Sequence, residues 1–158
     1  TLWYDYLSGN DDATVNANEW SAFHTLYDTG HKFYGLIDNF GNPAGGGTDY
    51  LGLQDLAVKF VHPVAPGWTL KADIHQFWTA VDPGDNLTAW SGNTNESSKD
   101  DSDLGHELDL TLKHKYNANA AVQFGYSYFN GSTTWQHIDS DTDNKDKHWA
   151  YAQVNFTY

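Results

Sequence analysis

The sequence predicts an all-β protein, namely a segment of an antiparallel transmembrane β-barrel with about six long strands. Apolar and polar residues alternate with a period of two along six segments, and the apolar set always falls on even numbers. This period is that of strands with one apolar and one polar face. Most of these segments run roughly 11 residues, about twice the usual soluble strand and about what a tilted strand needs to cross a bilayer. Short turns alternate with long acidic loops, as in outer-membrane barrels.

The first predicted strand is followed by a long connection over residues 9–52. Leu2, Tyr4 and Tyr6 supply the apolar side of this strand. Within the connection, residues 32–40 have a strand-like composition, but a further strand would put the loop ends on the wrong sides of the membrane. We therefore expect 9–52 to be a long structured loop, with at most one helical turn, that packs into or over the barrel.

Two further strands are predicted on either side of a short turn over residues 65–67. Their even-numbered apolar residues are Leu56, Val58, Phe60, Trp68, Leu70, Ala72, Ile74 and Trp78. Trp68 and Trp78 lie ten residues apart on one face. At roughly 3.3 Å per residue and a tilt of about 40°, this spacing separates them by about 25 Å along the membrane normal. That distance matches the apolar band between the aromatic girdles of a barrel.

The last three predicted strands span residues 107–116, 120–128 and 150–158. A short turn over residues 117–119 joins the first two of them. The connections over 82–103 and 131–147 are longer and rich in Asp. We therefore place the short turns on the periplasmic side and the long acidic loops on the extracellular side.

The alternation divides the expected functional residues between two faces. The odd-numbered face is expected to line the pore through Asp5, Asp55, Lys59, Lys71, Asp73, His75, Glu107, Asp109, Lys113 and Lys115. These nearly balanced charges would steer a hydrated solute, or pair with one another and keep the interior wet. The membrane girdles are expected at Trp68, Trp78, Tyr116, Tyr128 and Tyr158.

Several stretches of the chain resemble, in order, the C-terminal region of the alginate-export family of outer-membrane porins. They are YDYLSGNDD over residues 4–12, FHTLYDTGHKFYG over 23–35, LQDL over 53–56 leading to Pro63, the stretch 68–78, and GHELD over 105–109. The final segment also ends on an aromatic residue, Tyr158, which is similar to the assembly signal of outer-membrane barrels. The match covers nearly the whole chain.

The resemblance implies a monomeric barrel of many strands through which a polysaccharide, or another hydrophilic solute, crosses the bacterial outer membrane passively. Six strands do not close around a usable channel. We therefore expect residues 1–158 to be one segment from the C-terminal part of a larger barrel, in contact with outer-membrane lipid and completed by the remaining strands or a partner chain. Arg, the side chain best suited to carboxylates, is absent from the sequence. The family name therefore does not identify the solute.

The amino-acid composition excludes several partners and kinds of chemistry. The chain has 8 basic against 21 acidic residues and a net charge of -13, so nucleic acid is not an expected partner. It has no cysteine, which excludes disulfides and thiolate metal sites. The alternative to a porin is a secreted β-sandwich that binds carbohydrate through its aromatic residues, with calcium if the acidic loops hold it.

The sequence gives only weak signals for a metal site or a catalytic site. Asp139, Asp141 and Asp143 alternate like the start of a calcium loop, but the glycine and the bidentate acid that such a loop needs further on are missing. A solvated acidic loop is therefore favoured, and calcium is the only cofactor considered. The eight histidines show no metal-ligand spacing. Because the sequence has no glycine-flanked Ser elbow, we expect no catalytic residue and no enzyme.

Overall fold

The computed structural model describes residues 1–10, 21–23, 25–26, 30–40, 48, 50–83, 101–139 and 145–158. In this part of the chain, one sheet contains six antiparallel strands, and each strand pairs with the next along the sequence. The strands are β1 (Leu2–Leu7), β2 (Leu53–Ala65), β3 (Trp68–Trp78), β4 (Asp103–Lys115), β5 (Ala120–Gly131) and β6 (Asp146–Phe156). A short helix, α1 (Thr133–Asp139), lies between β5 and β6. The predicted all-β fold with six antiparallel strands is confirmed.

Both short connections lie where the sequence predicted them. Between β2 and β3 the chain turns at Pro66 and Gly67, and Gly67 has a φ of 77°, which glycine adopts without steric cost. Between β4 and β5 the carbonyl of Ala120 accepts hydrogen bonds from the backbone N–H groups of Tyr116 and Asn117. These turns lie at one end of the sheet, the short-turn end. The longer connections lie at the other, the loop end.

The two faces of the sheet differ sharply in burial. On the even-numbered face, Val58, Ile74 and Val154 are 53%, 55% and 60% exposed. On the odd-numbered face, His75 and Glu107 are 1% and 0% exposed. The face that is polar in sequence is therefore buried along much of its length, and the apolar face is open.

A bulge near the start of β4 locally changes this alternation. Phe77 pairs with Gly105 and Trp78 with Asp103, so Leu104 is the additional residue. Gly105 has a φ of 114°, and a side chain there would collide with the backbone of β5. The bulge therefore requires glycine at this position. As a result, Leu104 has an even number and yet turns into the core, where it is fully buried.

The apolar core lies on the odd-numbered face at the loop end. It consists of Leu7, Phe40, Leu53, Phe77, Leu104, Phe129 and Trp135. The ring of Phe40 lies 4.5 Å from that of Phe77 and 5.1 Å from that of Trp135. This core therefore joins three parts of the chain: the sheet, α1 and the stretch around Phe40.

Helix α1 lies inside the connection over residues 131–147, which we expected to be a long acidic loop. The hydroxyl of Ser132 accepts a hydrogen bond from the backbone N–H of Trp135 at 3.0 Å, which caps the first turn. Trp135 is buried in the core. A helix this short is marginal without tertiary contacts, so burial of Trp135 is what stabilises it.

Residues 30–40 form turns and bends that pack on the odd-numbered face. We call them the covering segment. They lie within the loop expected over residues 9–52, much of which falls outside the described residues. No strand forms over 32–40, which agrees with our preference for a loop there.

Strands β1 and β6 are the two edges of the sheet and do not pair with each other in the described part of the chain. The sheet is therefore open rather than closed into a barrel. The outer backbone groups of these edges can pair with further strands.

Candidate functional site

The candidate site is a buried polar network on the odd-numbered face, beneath the covering segment. Its members are Asp55, Asp73, His75, Glu107, Asp109 and Ser127, contributed by β2, β3, β4 and β5. They share one face because each is odd numbered and the strands pair in register. Burying so many polar groups is costly unless they are paired.

His75 is at the centre of this network. Its Nδ1 lies 2.9 Å from Oδ1 of Asp55, and its Nε2 lies 3.9 Å from Oδ2 of Asp109. Asp109 in turn accepts a hydrogen bond of 2.5 Å from the hydroxyl of Ser127. The contacts therefore form a chain across four neighbouring strands.

This arrangement differs from an activated nucleophile. The hydroxyl of Ser127 donates to Asp109, whereas in a Ser–His–Asp triad the serine hydroxyl would donate to the histidine. Ser127 and His75 are also almost completely buried. The network is therefore suited to linking neighbouring strands inside the sheet.

Towards the short-turn end the odd-numbered face carries two lysines around one carboxylate. Lys71 Nζ lies 2.7 Å from Oδ2 of Asp73, and Lys59 Nζ lies 4.0 Å from the same oxygen. The side chain of Lys71 is 46% exposed, so this pair faces solvent on one side. Here the polar face is open, in contrast to the loop end.

Glu107 attaches the covering segment to the sheet. Its Oε1 accepts hydrogen bonds from the backbone N–H groups of Leu36 (2.7 Å) and Ile37 (2.9 Å). Gly35 has a φ of 84°, and a Cβ there would lie 2.5 Å from the carboxyl atoms of Glu107. The backbone can therefore approach the carboxylate this closely only with glycine at position 35.

A second attachment joins the covering segment to the edge strand β1. The hydroxyl of Tyr34 donates a hydrogen bond of 3.1 Å to Oδ2 of Asp5. Burial, and then the negative charge of Asp5, raise the pKa of Tyr34 above its usual value. The tyrosine is thus held as a neutral donor.

A third attachment is aromatic. The imidazole of His31 stacks on the indole of Trp149 in β6, with centroids 4.4 Å apart and planes 14° from parallel. The backbone N–H of His31 donates to Asp38, and its Nδ1 lies 2.8 Å from the carbonyl oxygen of Leu36. The segment is thus folded back on itself as well as held to β1, β4 and β6.

The expected pore-lining residues all lie on the odd-numbered face, but not in one environment. Asp55, Asp73, His75, Glu107 and Asp109 are buried. Asp5 and Lys59 are half-buried, and Lys71, Lys113 and Lys115 are exposed. The covering segment thus shields the loop-end part of this face, which we expected to be wet, and leaves the short-turn part accessible. Pore lining itself stays a prediction.

The expected girdle residues lie near the two ends of the even-numbered face. At the short-turn end, Trp68 stacks on His114 at 4.4 Å and Tyr116 is exposed. Tyr158 follows the end of β6 and is exposed. At the loop end are Trp78 and Tyr128.

The expected calcium ligands fall mainly outside the described residues. Asp141 and Asp143 are among those not described, while Asp139 forms an ion pair of 2.6 Å with Lys147. In the described ranges, no group of three or more His, Asp or Glu side chains is placed to hold a metal ion. Calcium binding stays a prediction. Within the same ranges, no helix has the length and apolar character to cross a membrane.

The residues that cover and complete the site were missed by the sequence interpretation. Tyr34, Leu36 and His31 act through contacts 29 to 118 positions away in the chain, for which one sequence holds no signal. Trp149 and Tyr151, by contrast, are odd-numbered aromatics in a strand whose apolar residues are even numbered. Their parity could have placed them on the polar face.

Comparison of the chain with protein-family models, characterised proteins and solved structures gives no significant match.

Proposed function

We propose that the chain is a segment of an outer-membrane β-barrel that allows passive passage of a hydrophilic solute. The observation that carries this proposal is the inverted polarity of the sheet. Val58, Ile74 and Val154 are more than half exposed, whereas His75 and Glu107 are buried. A water-soluble sheet buries its apolar face, and a membrane barrel turns that face to lipid.

The size of the open apolar surface supports this interpretation. Even-numbered residues of five strands are exposed by 46% or more, namely Leu2, Val58, Phe60, Ile74, Phe124, Val154 and Phe156, and those of β4 (Leu108, Leu110 and Leu112) are half-buried. Soluble monomers rarely expose apolar patches above a few hundred Å², and larger ones mark interfaces with membranes or proteins. An apolar surface that extends across every strand is suited to contact with membrane lipid.

Aromatic and imidazole groups mark both ends of the same surface. Trp68 and His114 stack at the short-turn end. At the loop end, the hydroxyl of Tyr126 and Nδ1 of His148 are 2.8 Å apart, and the ring of Tyr128 lies 4.9 Å from that of His148. Side chains with an apolar body and a polar tip are enriched at membrane interfaces.

The open edges support a larger assembly. Strands β1 and β6 do not pair with each other, and unpaired backbone groups in the membrane would each cost several kcal/mol. We therefore propose that remaining strands, or a partner chain, pair with both edges. The covering segment would then lie inside the lumen and narrow it. The proposed location is the bacterial outer membrane.

The solute is proposed only as hydrophilic. The resemblance to alginate-export porins would favour a polyanion, but the buried network contains Asp55, Asp73, Glu107 and Asp109 with His75 as its basic member. The sequence has no Arg to bind carboxylates in pairs. The lumen chemistry therefore does not argue for an acidic polymer.

Native mass spectrometry of folded material extracted from membranes in detergent tests the proposal. We expect a species well above 17.7 kDa that carries further strand-forming polypeptide. The same material should conduct ions when it is inserted into a planar bilayer. A 17.7 kDa species that stays monodisperse without detergent would contradict the proposal. A soluble carbohydrate-binding sandwich would then be the better hypothesis, although the described residues contain only one sheet.

A further inference from the structure

A cavity of about 240 Å³ lies between the covering segment and strands β5 and β6. It is lined by His31, Leu36, Gln123, Trp149, Tyr151 and Gln153. Its volume is below the ~300–1,000 Å³ of sites that hold drug-sized ligands, so it accommodates a single small ring. The buried polar network described above does not include any of these residues.

Aromatic rings form one wall of this cavity. Trp149 stacks with His31 at 4.4 Å and with Tyr151 at 4.7 Å. Both Trp149 and Tyr151 are odd numbered and come from β6, so they lie on the same face as the expected pore lining. The three rings thus form one aromatic stack on the polar side of the sheet.

The sequence of β5 makes room for this surface. Tyr151 pairs with Gly125, and a Cβ at position 125 would collide with the ring of Tyr151. With glycine there, the tyrosine lies across β5 and its hydroxyl reaches Gln123 and, at 3.4 Å, the hydroxyl of Thr111 on β4. The flat placement of Tyr151 is thus built into the neighbouring strand.

The polar groups around the cavity are mostly uncharged. Gln123 and Gln153 each offer a carbonyl acceptor and an amide donor, and Tyr151 offers a hydroxyl. Among the described residues that line the cavity, His31 is the only basic one, and its Nδ1 lies 2.8 Å from Oδ2 of Asp38. The cavity therefore lacks the fixed cation that a carboxylate or phosphate ligand would require.

We propose that this cavity is a subsite for one ring of a neutral, hydroxyl-rich solute, that is, a saccharide unit. This inference rests on the proposed channel function, because it names the class of solute that the channel would pass. The apolar C–H face of a sugar ring packs on an aromatic surface, and its hydroxyls both donate and accept hydrogen bonds. Trp149, Tyr151 and the two glutamine amides supply these complementary groups.

The test is a calorimetric titration, in which maltotriose, a neutral trisaccharide, is added to the detergent-solubilised full chain. Replacing Trp149 with Leu is expected to weaken maltotriose binding roughly tenfold. The matched control is Trp68→Leu, which removes an indole from the opposite face and should leave binding unchanged.

Because Trp149→Leu removes packing contacts and could weaken binding by disturbing the fold, a second variant tests the cavity without removing an aromatic ring. Gln153 is exposed and its amide donates to Asn155, so Gln153→Leu should leave the fold intact. We expect it to weaken maltotriose binding about threefold, as loss of one uncharged hydrogen bond would. The thermal midpoint of each variant in detergent checks that it is folded.

Three outcomes would overturn the inference: no maltotriose binding by the unmodified chain, equal loss in Trp149→Leu and Trp68→Leu, or tighter binding of an acidic uronate trisaccharide of the same length. The failure of this inference is distinguishable from failure of the channel proposal. A conducting, detergent-dependent protein that does not bind maltotriose would refute only the subsite. A detergent-independent protein that binds it through Trp149 would refute only the channel.

Discussion

The carboxylate of Glu107, fully buried in β4, accepts a hydrogen bond of 2.7 Å from the backbone N–H of Leu36. The two residues are 71 positions apart in sequence, and this contact fixes the covering segment against the sheet. Oε1 of Glu107 also accepts the N–H of Ile37, so one atom holds two consecutive backbone groups.

Replacing Glu107 with Ala should release the covering segment. Two buried N–H groups would lose their shared acceptor, which is expected to destabilise the folded state by roughly 2–4 kcal/mol. Limited proteolysis should then cut within residues 30–40 faster than in the unmodified protein. Glu107→Gln keeps the acceptor oxygen and should have a clearly smaller effect. Equal protection of this segment in Glu107→Ala would show that the apolar contacts of Phe40 hold it alone.

The lipid assignment is tested most directly at Ile74. This side chain is 55% exposed near the middle of β3, so in a water-soluble protein Ile74→Lys should change the free energy of unfolding by less than about 0.5 kcal/mol. On the lipid face near mid-bilayer the same change should cost roughly 2–4 kcal/mol. The matched control is Gln153→Lys, which adds the same charge at an exposed position on the opposite face. Unfolding in lipid vesicles with urea gives both values.

The fit of Tyr151 over Gly125 predicts a coupled pair. Gly125→Ala should destabilise the protein by about 1–3 kcal/mol, because the new methyl group overpacks against the tyrosine ring. In Tyr151→Ala that ring is gone, and adding Gly125→Ala should then cost much less. A double-mutant cycle on the free energy of unfolding measures this difference. Purely additive effects would contradict the close contact.

The raised pKa of Tyr34 predicts that the stability of the folded state falls at alkaline pH. Its pKa is raised in the folded state by burial and by Asp5, whereas an unfolded tyrosine titrates near ~10. Below that pH both states hold the proton and the contribution to stability is complete. Above it the unfolded state releases the proton first, so the stability that Tyr34 provides falls as pH rises towards its folded pKa.

Comparison with Tyr34→Phe isolates this effect from the titration of other groups. At pH 8 the phenylalanine variant should be less stable by about 1 kcal/mol, because it lacks the hydrogen bond to Asp5. At pH 11 the difference should shrink or change sign. The measurement is the denaturant midpoint of both proteins at the two pH values, and a difference that does not change would argue against the raised pKa.

The contrast between predicted and missed elements follows from the range of the interactions. The turns at 65–67 and 117–119 were predictable because Pro, Gly and Asn act on their own backbone. The bulge that turns Leu104 into the core was not, since it depends on how β4 pairs with β3. Helix α1 was missed for a similar reason, because its stability comes from burial of Trp135 rather than from its own propensity.

The sequence by itself determined the six strands and, apart from the bulge at Leu104, the side of the sheet on which each strand residue lies, because a period of two is a local property of the backbone. Only the tertiary structure decided that the polar face is covered, through contacts such as those of Leu36 with Glu107 and His31 with Trp149. It also decided that Tyr151 lies across Gly125 and so forms the aromatic cavity. These features join residues that are distant in sequence, and their position depends on strand register and packing, which alternation alone does not specify.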